Sequence, residues 1–283
     1  MQAKKRKNQA KRQQKLQERL AHRGFANASQ PLLRDLPISY EIADRTRVLS
    51  VGGLGAIHTL VTKLALPGLI NQRVSVLKRH LPYFESDHIL SLCYSVLCGS
   101  KPLQDINRLR GDEVYLDALC VKRLPAPSTA GDFLRRFKQD DILDLQEAIN
   151  EARVKIWKTQ PEVFFKQAII DMDGTVFSTD AECTEGIDYC AYKKMWGYGP
   201  LILSLAHTCE PLYVVNRPAS MPSHQGVAPW LDRALKWVAP RFKEIWLRGD
   251  ADFSLTVHFD RWDEQGVKFI WFIRDFGGYF DKG

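Results

Sequence analysis

Three aspartates have the spacing and setting of a chemical site. They occur in Asp171-Met172-Asp173-Gly174-Thr175 and in Arg248-Gly249-Asp250-Ala251-Asp252, each after an apolar run. If the two runs are strands adjacent in one sheet, their C-terminal ends bring carboxylates together. That makes a hard-oxygen site of the kind Mg²⁺ prefers. Gly174 and Gly249 let the chain turn away while the acids stay exposed. Aspartate also caps helices and turns, and Asp252 reads as such a cap at the start of the next helix. The six cysteines (Cys93, Cys98, Cys120, Cys183, Cys190 and Cys209) form no C-x-x-C pair, and no histidine cluster adjoins them. A zinc site or a disulfide framework is therefore not expected, and reduced thiols are. No activated serine, tyrosine or cysteine stands out as a nucleophile.

The elements that must position these acids lie beyond Pro161. The apolar run Phe164–Met172 predicts a buried strand. Leu201–Ala206 and Leu212–Asn216 predict a hairpin around the turn 207–211. Val227, Trp230, Leu231, Ala234, Leu235 and Val238 mark a helix. Glu244–Leu247 follows as a strand, Ser254–Trp262 as a helix and Val267–Ile273 as a strand. Three strands precede any helix in this β-β-β-α-β-α-β order, which predicts a mixed sheet in an α/β fold. Residues 32–160 instead read as mainly helical. Pro67-Gly68 marks a break, and His88–Cys98 a helix stopping at Gly99. Thr129-Ala130-Gly131-Asp132 has capping-box spacing. Ile142, Leu145, Ile149, Ala152 and Ile156 recur as one face of a long helix, expected to be core.

Charge separates the ends of the chain. Of 283 residues, 40 are Lys or Arg and 33 Asp or Glu. Residues 1–30 hold nine basic residues, among them Lys4, Lys5, Arg6, Lys7, Lys11 and Arg12, against one acid, Glu18. That arm carries +8 and the remaining chain −1, so a uniformly basic packing protein is excluded. With 45% hydrophobic and 11% aromatic residues, so is an acidic disordered chain. The best apolar stretch, Val51–Leu69, is interrupted by His58 and Lys63, and the basic N-terminus lacks an apolar h-region. These patterns predict a soluble cytoplasmic protein with a flexible arm (1–30), a helical domain (31–160) and a mixed-sheet domain (161–283).

Two families resemble parts of this chain. Ile169-Ile170-Asp171-Met172-Asp173-Gly174-Thr175-Val176 resembles motif I of haloacid-dehalogenase-type phosphatases, where the first Asp is a phosphoryl nucleophile. That family implies alternating βα units and a later Lys, which the rest of the chain does not supply. The wider context resembles bacterial insertion-sequence DDE transposases with an RNase H-like catalytic domain. The resemblance runs over about residues 120–270. It takes in the first acidic motif, Trp196-Gly197-Tyr198-Gly199-Pro200-Leu201, Glu210–Arg217 and Pro222–Gly226. It continues through Leu247–Ser254, Asp260–Asp263 and Gly266–Phe269.

The resemblance implies Asp173 as the first metal-binding acid, with Asp171 as fallback, and Asp250 as the second. It further implies two Mg²⁺ (or Mn²⁺) ions for phosphodiester cleavage and strand transfer without a covalent intermediate. The helical domain becomes DNA-binding, and transposon ends and target DNA become the partners of a homo-oligomer. The basic arm becomes a DNA contact, since duplex DNA carries a charge every ~1.7 Å. The family's third acid, a Glu well downstream, has no match. Glu264 is the one Glu after Asp250 and is too near it. The resemblance thus implies an incomplete RNase H-like sheet and a truncated enzyme, impaired in catalysis or acting as a non-catalytic inhibitor of transposition.

Overall fold

The computed structural model describes residues 30–33, 51–180 and 184–271, together with Gln14 and Glu18. The arm residues Lys4, Lys5, Arg6, Lys7, Lys11 and Arg12 lie outside the described residues, as do Cys183 and the stretch 272–283. The chain divides into two compact units, residues 1–156 and 157–283.

The first unit is helical. Its elements are α1 (Leu54–Lys63), α2 (Leu66–Arg73), α3 (Glu85–Leu97), α4 (Ile106–Arg110), α5 (Glu113–Ala118) and α6 (Pro127–Leu134); α7 (Gln139–Trp157) runs out of it. Leu54, Leu90, Tyr94, Leu109, Tyr115 and Leu119 form one core cluster. Leu69, Ile70 and Val74 form another with Ala148 and Ala152 of α7. Asp87, in the first turn of α3, accepts from the backbone N–H groups of Phe84, Leu32 and Leu33 at 2.8, 3.0 and 2.7 Å. One carboxylate thus caps a helix and ties residues 32–33 to it.

Three local features differ from the sequence pattern. The break falls at Ala65, whose φ is 55°, and Pro67 lies in the first turn of α2, where its missing N–H costs nothing. The helix expected to start at Thr129 begins at Pro127, with Ala126 as its N-cap, for the same reason. α7 exists with the anticipated period, but Ile142 and Ile149 are each 41% exposed. Of the expected face, Ala152 is buried and Leu145 packs against the same cluster, which Ala148 joins from beside that stripe.

His88 sets an acid limit on this unit. Its ring stacks on Phe133 at 4.3 Å, edge-on to Tyr83, and its Nδ1 is buried without a partner. Burial, with the Arg136 charge nearby, pulls its pKa from 6.5 down to about 4. The unfolded chain takes up this proton below about pH 6.5 while the folded one refuses it. The stability present above that pH is therefore lost as pH falls toward 4, by on the order of 3 kcal/mol. Urea midpoints of the wild type should drop across this window more steeply than those of His88→Phe.

The second unit is built on a five-stranded mixed sheet. Its strands are β1 (Gln167–Gly174), β5 (Leu201–Leu205), β6 (Glu210–Val215), β7 (Glu244–Gly249) and β8 (Val267–Trp271), in the order β6-β5-β1-β7-β8. β5 is antiparallel to both β1 and β6, while β7 is parallel to both β1 and β8. This is the sheet expected of an RNase H-like fold. α8 (Ala228–Val238) and α9 (Phe259–Asp263) make the two crossovers. Both step across the sheet in the same direction, so a common right hand puts them on one face. There Leu231, Ala234, Leu235, Val238 and Trp262 are buried, as are Ala168, Ile170 and Met172 from β1. Alternation then sends Ile169, Asp171 and Asp173 to the opposite face.

Two departures matter for the site. Phe164 and Phe165 belong to the 3₁₀ turn Glu162–Lys166, not to β1, and pack with Phe242 at 5.5 Å. Residues 177–198 add a separate antiparallel sheet: β2 (Phe177–Ser178), β3 (Asp188–Cys190) and β4 (Met195–Tyr198), ordered β2-β4-β3. These strands are short and their rings exposed, so no alternation betrays them in the sequence.

Candidate functional site

Register brings two of the three aspartates level. β1 pairs with β7 from Gln167↔Glu244 to Asp171↔Arg248. Continued by two residues, that register sets Asp250 beside Asp173, one step past the end of β7. In a parallel pair such neighbours share a face. Both aspartates are exposed. β1 is the central strand, held by β5 on its other side through Asp173↔Ile202 and Gly174↔Leu201.

Asp171 is otherwise engaged. Its Oδ1 and Oδ2 accept from Arg248 Nε and Nη2 at 2.5 and 2.7 Å, a bidentate pair across the β1–β7 step. The carboxylate holds the Arg248 guanidinium above its ordinary pKa. Asp173 has no such partner among the described residues. Asp250 Oδ1 caps the 3₁₀ turn Ala251–Phe253 by accepting from the Asp252 N–H at 3.0 Å, and its Oδ2 has no hydrogen-bond partner among the described residues. The capping role assigned to Asp252 therefore belongs to Asp250, and the helix expected from Ser254 is a second 3₁₀ turn (Thr256–His258) followed by α9.

Arg217 is the residue that sequence reasoning missed. It lies two residues past β6 and is buried. Its guanidinium donates to the carbonyls of Gly199, Ser223 and Gln225 at 3.2, 3.0 and 2.9 Å, and desolvation lowers its pKa. It ties the 218–226 loop to Gly199, just before β5, and the loop packs near the end of β1. A Cβ on Gly174 would meet Ser223 Oγ at 2.9 Å and Arg217 Nη2 at 3.7 Å. A lone arginine between an apolar strand and Pro218 was the available signal. Beyond this loop, a cleft of about 550 Å³ opens between His224–Pro229 and Leu255–Arg261.

The donors suit a hard divalent cation. Mg²⁺ is commonly held by one or two carboxylates, with water and substrate oxygens completing its shell. Asp173 and Asp250 supply two such groups. Among the described residues, no group of three or more His, Cys, Asp or Glu is placed to hold a metal ion. No described helix is long and apolar enough to cross a membrane.

The five-stranded mixed sheet in this order has the arrangement expected of an RNase H-like fold. The chain belongs to the family described as transposase DDE domain group 1, which it matches over residues 42–274. The match takes in most of the helical unit as well as the sheet. Among solved structures, a piggyBac transposase seen by cryo-EM in a synaptic complex with hairpin DNA is similar at 12% identity, with a TM-score of 0.36. The alignment covers 78% of this chain and 52% of that one, so the chain spans about half of that protein's length. No curated protein sequence matches significantly. The phosphatase alternative is overturned by this family and by the sheet. β1 has an antiparallel neighbour rather than alternating βα units, and Asp171, the nucleophile that reading needs, is held by Arg248.

Proposed function

We propose that this chain cleaves and rejoins DNA as the transposase of a bacterial insertion sequence, with Asp173 and Asp250 as the metal-holding carboxylates. The observation that supports this reading is the β1–β7 register, paired as far as Asp171↔Arg248, whose continuation by two residues would set Asp250 beside Asp173. Mg²⁺ or Mn²⁺ bound there would supply an activated water and charge stabilisation at a scissile phosphodiester. Asp171 and Arg248 keep the two strands in step, which maintains the spacing of the acids. Arg217 holds the 218–226 loop beside them. The basic residues of the arm, Lys4 to Arg12, bind duplex phosphates, at transposon ends and target alike. The enzyme works in the cytoplasm as a homo-oligomer assembled on DNA.

Incubation of the full chain with end-labelled DNA tests this. Nicks should appear with Mg²⁺ or Mn²⁺ and vanish with EDTA. Salt-sensitive binding with no nicks in either metal would instead assign a non-catalytic DNA-binding role, one that occupies transposon ends.

A further inference from the structure

The small sheet that joins β1 to β5 presents four aromatic rings on one face. Tyr189 pairs with Trp196, and Phe177 with Tyr198, across antiparallel ladders, and Trp196 and Tyr198 are two residues apart on β4. All four side chains therefore point the same way. Phe177 is 57%, Tyr189 42% and Trp196 58% exposed. The Tyr189 and Trp196 rings lie 5.5 Å apart. Tyr198 is fixed by its hydroxyl, which donates to the Glu185 carbonyl at 3.1 Å.

Exposed rings gathered like this mark an interaction surface, and their surroundings select the partner. The β3–β4 turn carries Tyr192, Lys193 and Lys194, all exposed. Asp188, the acid of this hairpin, is turned to the other face, where it accepts from the Ser220 hydroxyl. Asp180 and Glu185 belong to the β2–β3 connection rather than to this turn, Glu185 adjoining Tyr198 through its backbone carbonyl. Lysine is depleted in protein–protein interfaces, whereas rings beside paired lysines match the flat bases and phosphates of a single strand. The sheet is also anchored at the acid site. Thr175, just past β1, donates from its N–H to the Pro200 carbonyl at 3.2 Å, and Tyr198 bridges to Pro218.

We propose that the Phe177–Tyr189–Trp196–Tyr198 face is a stacking platform for unpaired DNA bases next to the Asp173–Asp250 site, with Lys193 and Lys194 on the adjoining phosphates. This rests on the DNA-processing reading above and adds a single-strand subsite to it.

Fluorescence anisotropy of the full chain with a twelve-residue oligothymidylate and with a blunt duplex tests the platform. Trp196→Ala and Tyr189→Ala should each weaken oligothymidylate binding by about tenfold or more and leave duplex binding unchanged. Trp196→Phe, which keeps a ring, should retain most of the affinity, so a general loss of fold is distinguishable from loss of stacking. Replacing Lys193 and Lys194 by Ala should lower the salt slope on the oligonucleotide by roughly 1.4. Unchanged oligothymidylate binding in Trp196→Ala overturns the platform and leaves the cleavage reading standing. A wild type that binds neither DNA overturns both. A wild-type dimer that Trp196→Ala splits, with single-strand binding unaltered, overturns the platform and gives the face to a second copy of the chain.

Discussion

Asp173→Asn and Asp250→Asn should each lower metal-dependent DNA cleavage by about three orders of magnitude or more, while DNA affinity stays the same or rises slightly. The rate effect follows from removing a carboxylate that would hold charge in place where a phosphodiester breaks, the costliest kind of group to lose from a site. The affinity effect has the opposite sign because a negative charge has been removed near phosphates. Asp171→Asn should behave differently. It breaks a bidentate pair that is partly open to solvent, and such pairs contribute about 1 kcal/mol or less. Its cleavage rate should fall by no more than about tenfold, through looser alignment of β1 with β7. Single-turnover cleavage with Mg²⁺, run beside a filter-binding titration, separates the three variants. An Asp171 variant that is dead beside an active Asp173 variant would reverse the assignment of the first acid.

Gly197→Ala should detach β2 from β4. A Cβ at this position would stand 1.9 Å from the Phe177 carbonyl oxygen and 2.8 Å from its carbon. Both atoms are backbone, so no rotamer change relieves the clash, and the strands must part. The cost is on the order of 3 kcal/mol, borne locally. The Thr179 N–H, which donates to the Trp196 carbonyl at 3.2 Å, should then exchange with solvent about 100-fold faster. Amides within β1 should keep their protection, because β5 and β7 pair with β1 independently of the small sheet. Hydrogen exchange read by NMR or by peptide mass reports both regions in one experiment. Equal loss of protection in β1 and around Thr179 would show that the small sheet supports the main one.

The main sheet was legible in the sequence because its strands bury one face and so alternate or run apolar. β5, β6, β7 and β8 are near where their patterns put them, and the mixed character of the sheet was readable from three strands preceding the first helix. The small sheet left no such trace. Its rings face outward, and what holds it is a close backbone approach at Gly197, which hydropathy does not record. The acids were legible as types and positions, but their roles were not. Which of Asp171 and Asp173 is engaged depends on Arg248 being opposite Asp171, a matter of register rather than of sequence distance. Arg217 was hidden for a related reason. Its partners are three carbonyls from residues 199, 223 and 225, and carbonyls have no signature in a sequence. The tetrapeptide Leu-Arg-Gly-Asp occurs twice, at 109–112 and 247–250, and makes the same point. Asp112 accepts from the Val114 and Tyr115 N–H groups to cap α5, and Asp250 caps a 3₁₀ turn, so the repeat reports a common capping habit at two unrelated places.

The closure at the base of the small sheet has an evolutionary side. The Thr175–Pro200 hydrogen bond brings the two ends of residues 176–199 together at the margin of the main sheet. A segment that leaves and returns through one doorway is a cassette. Its length and content can change by insertion, deletion or exchange without displacing the strands on either side. Substrate preference in such a scaffold can drift at the cassette while the neighbouring carboxylates stay where the central strand holds them.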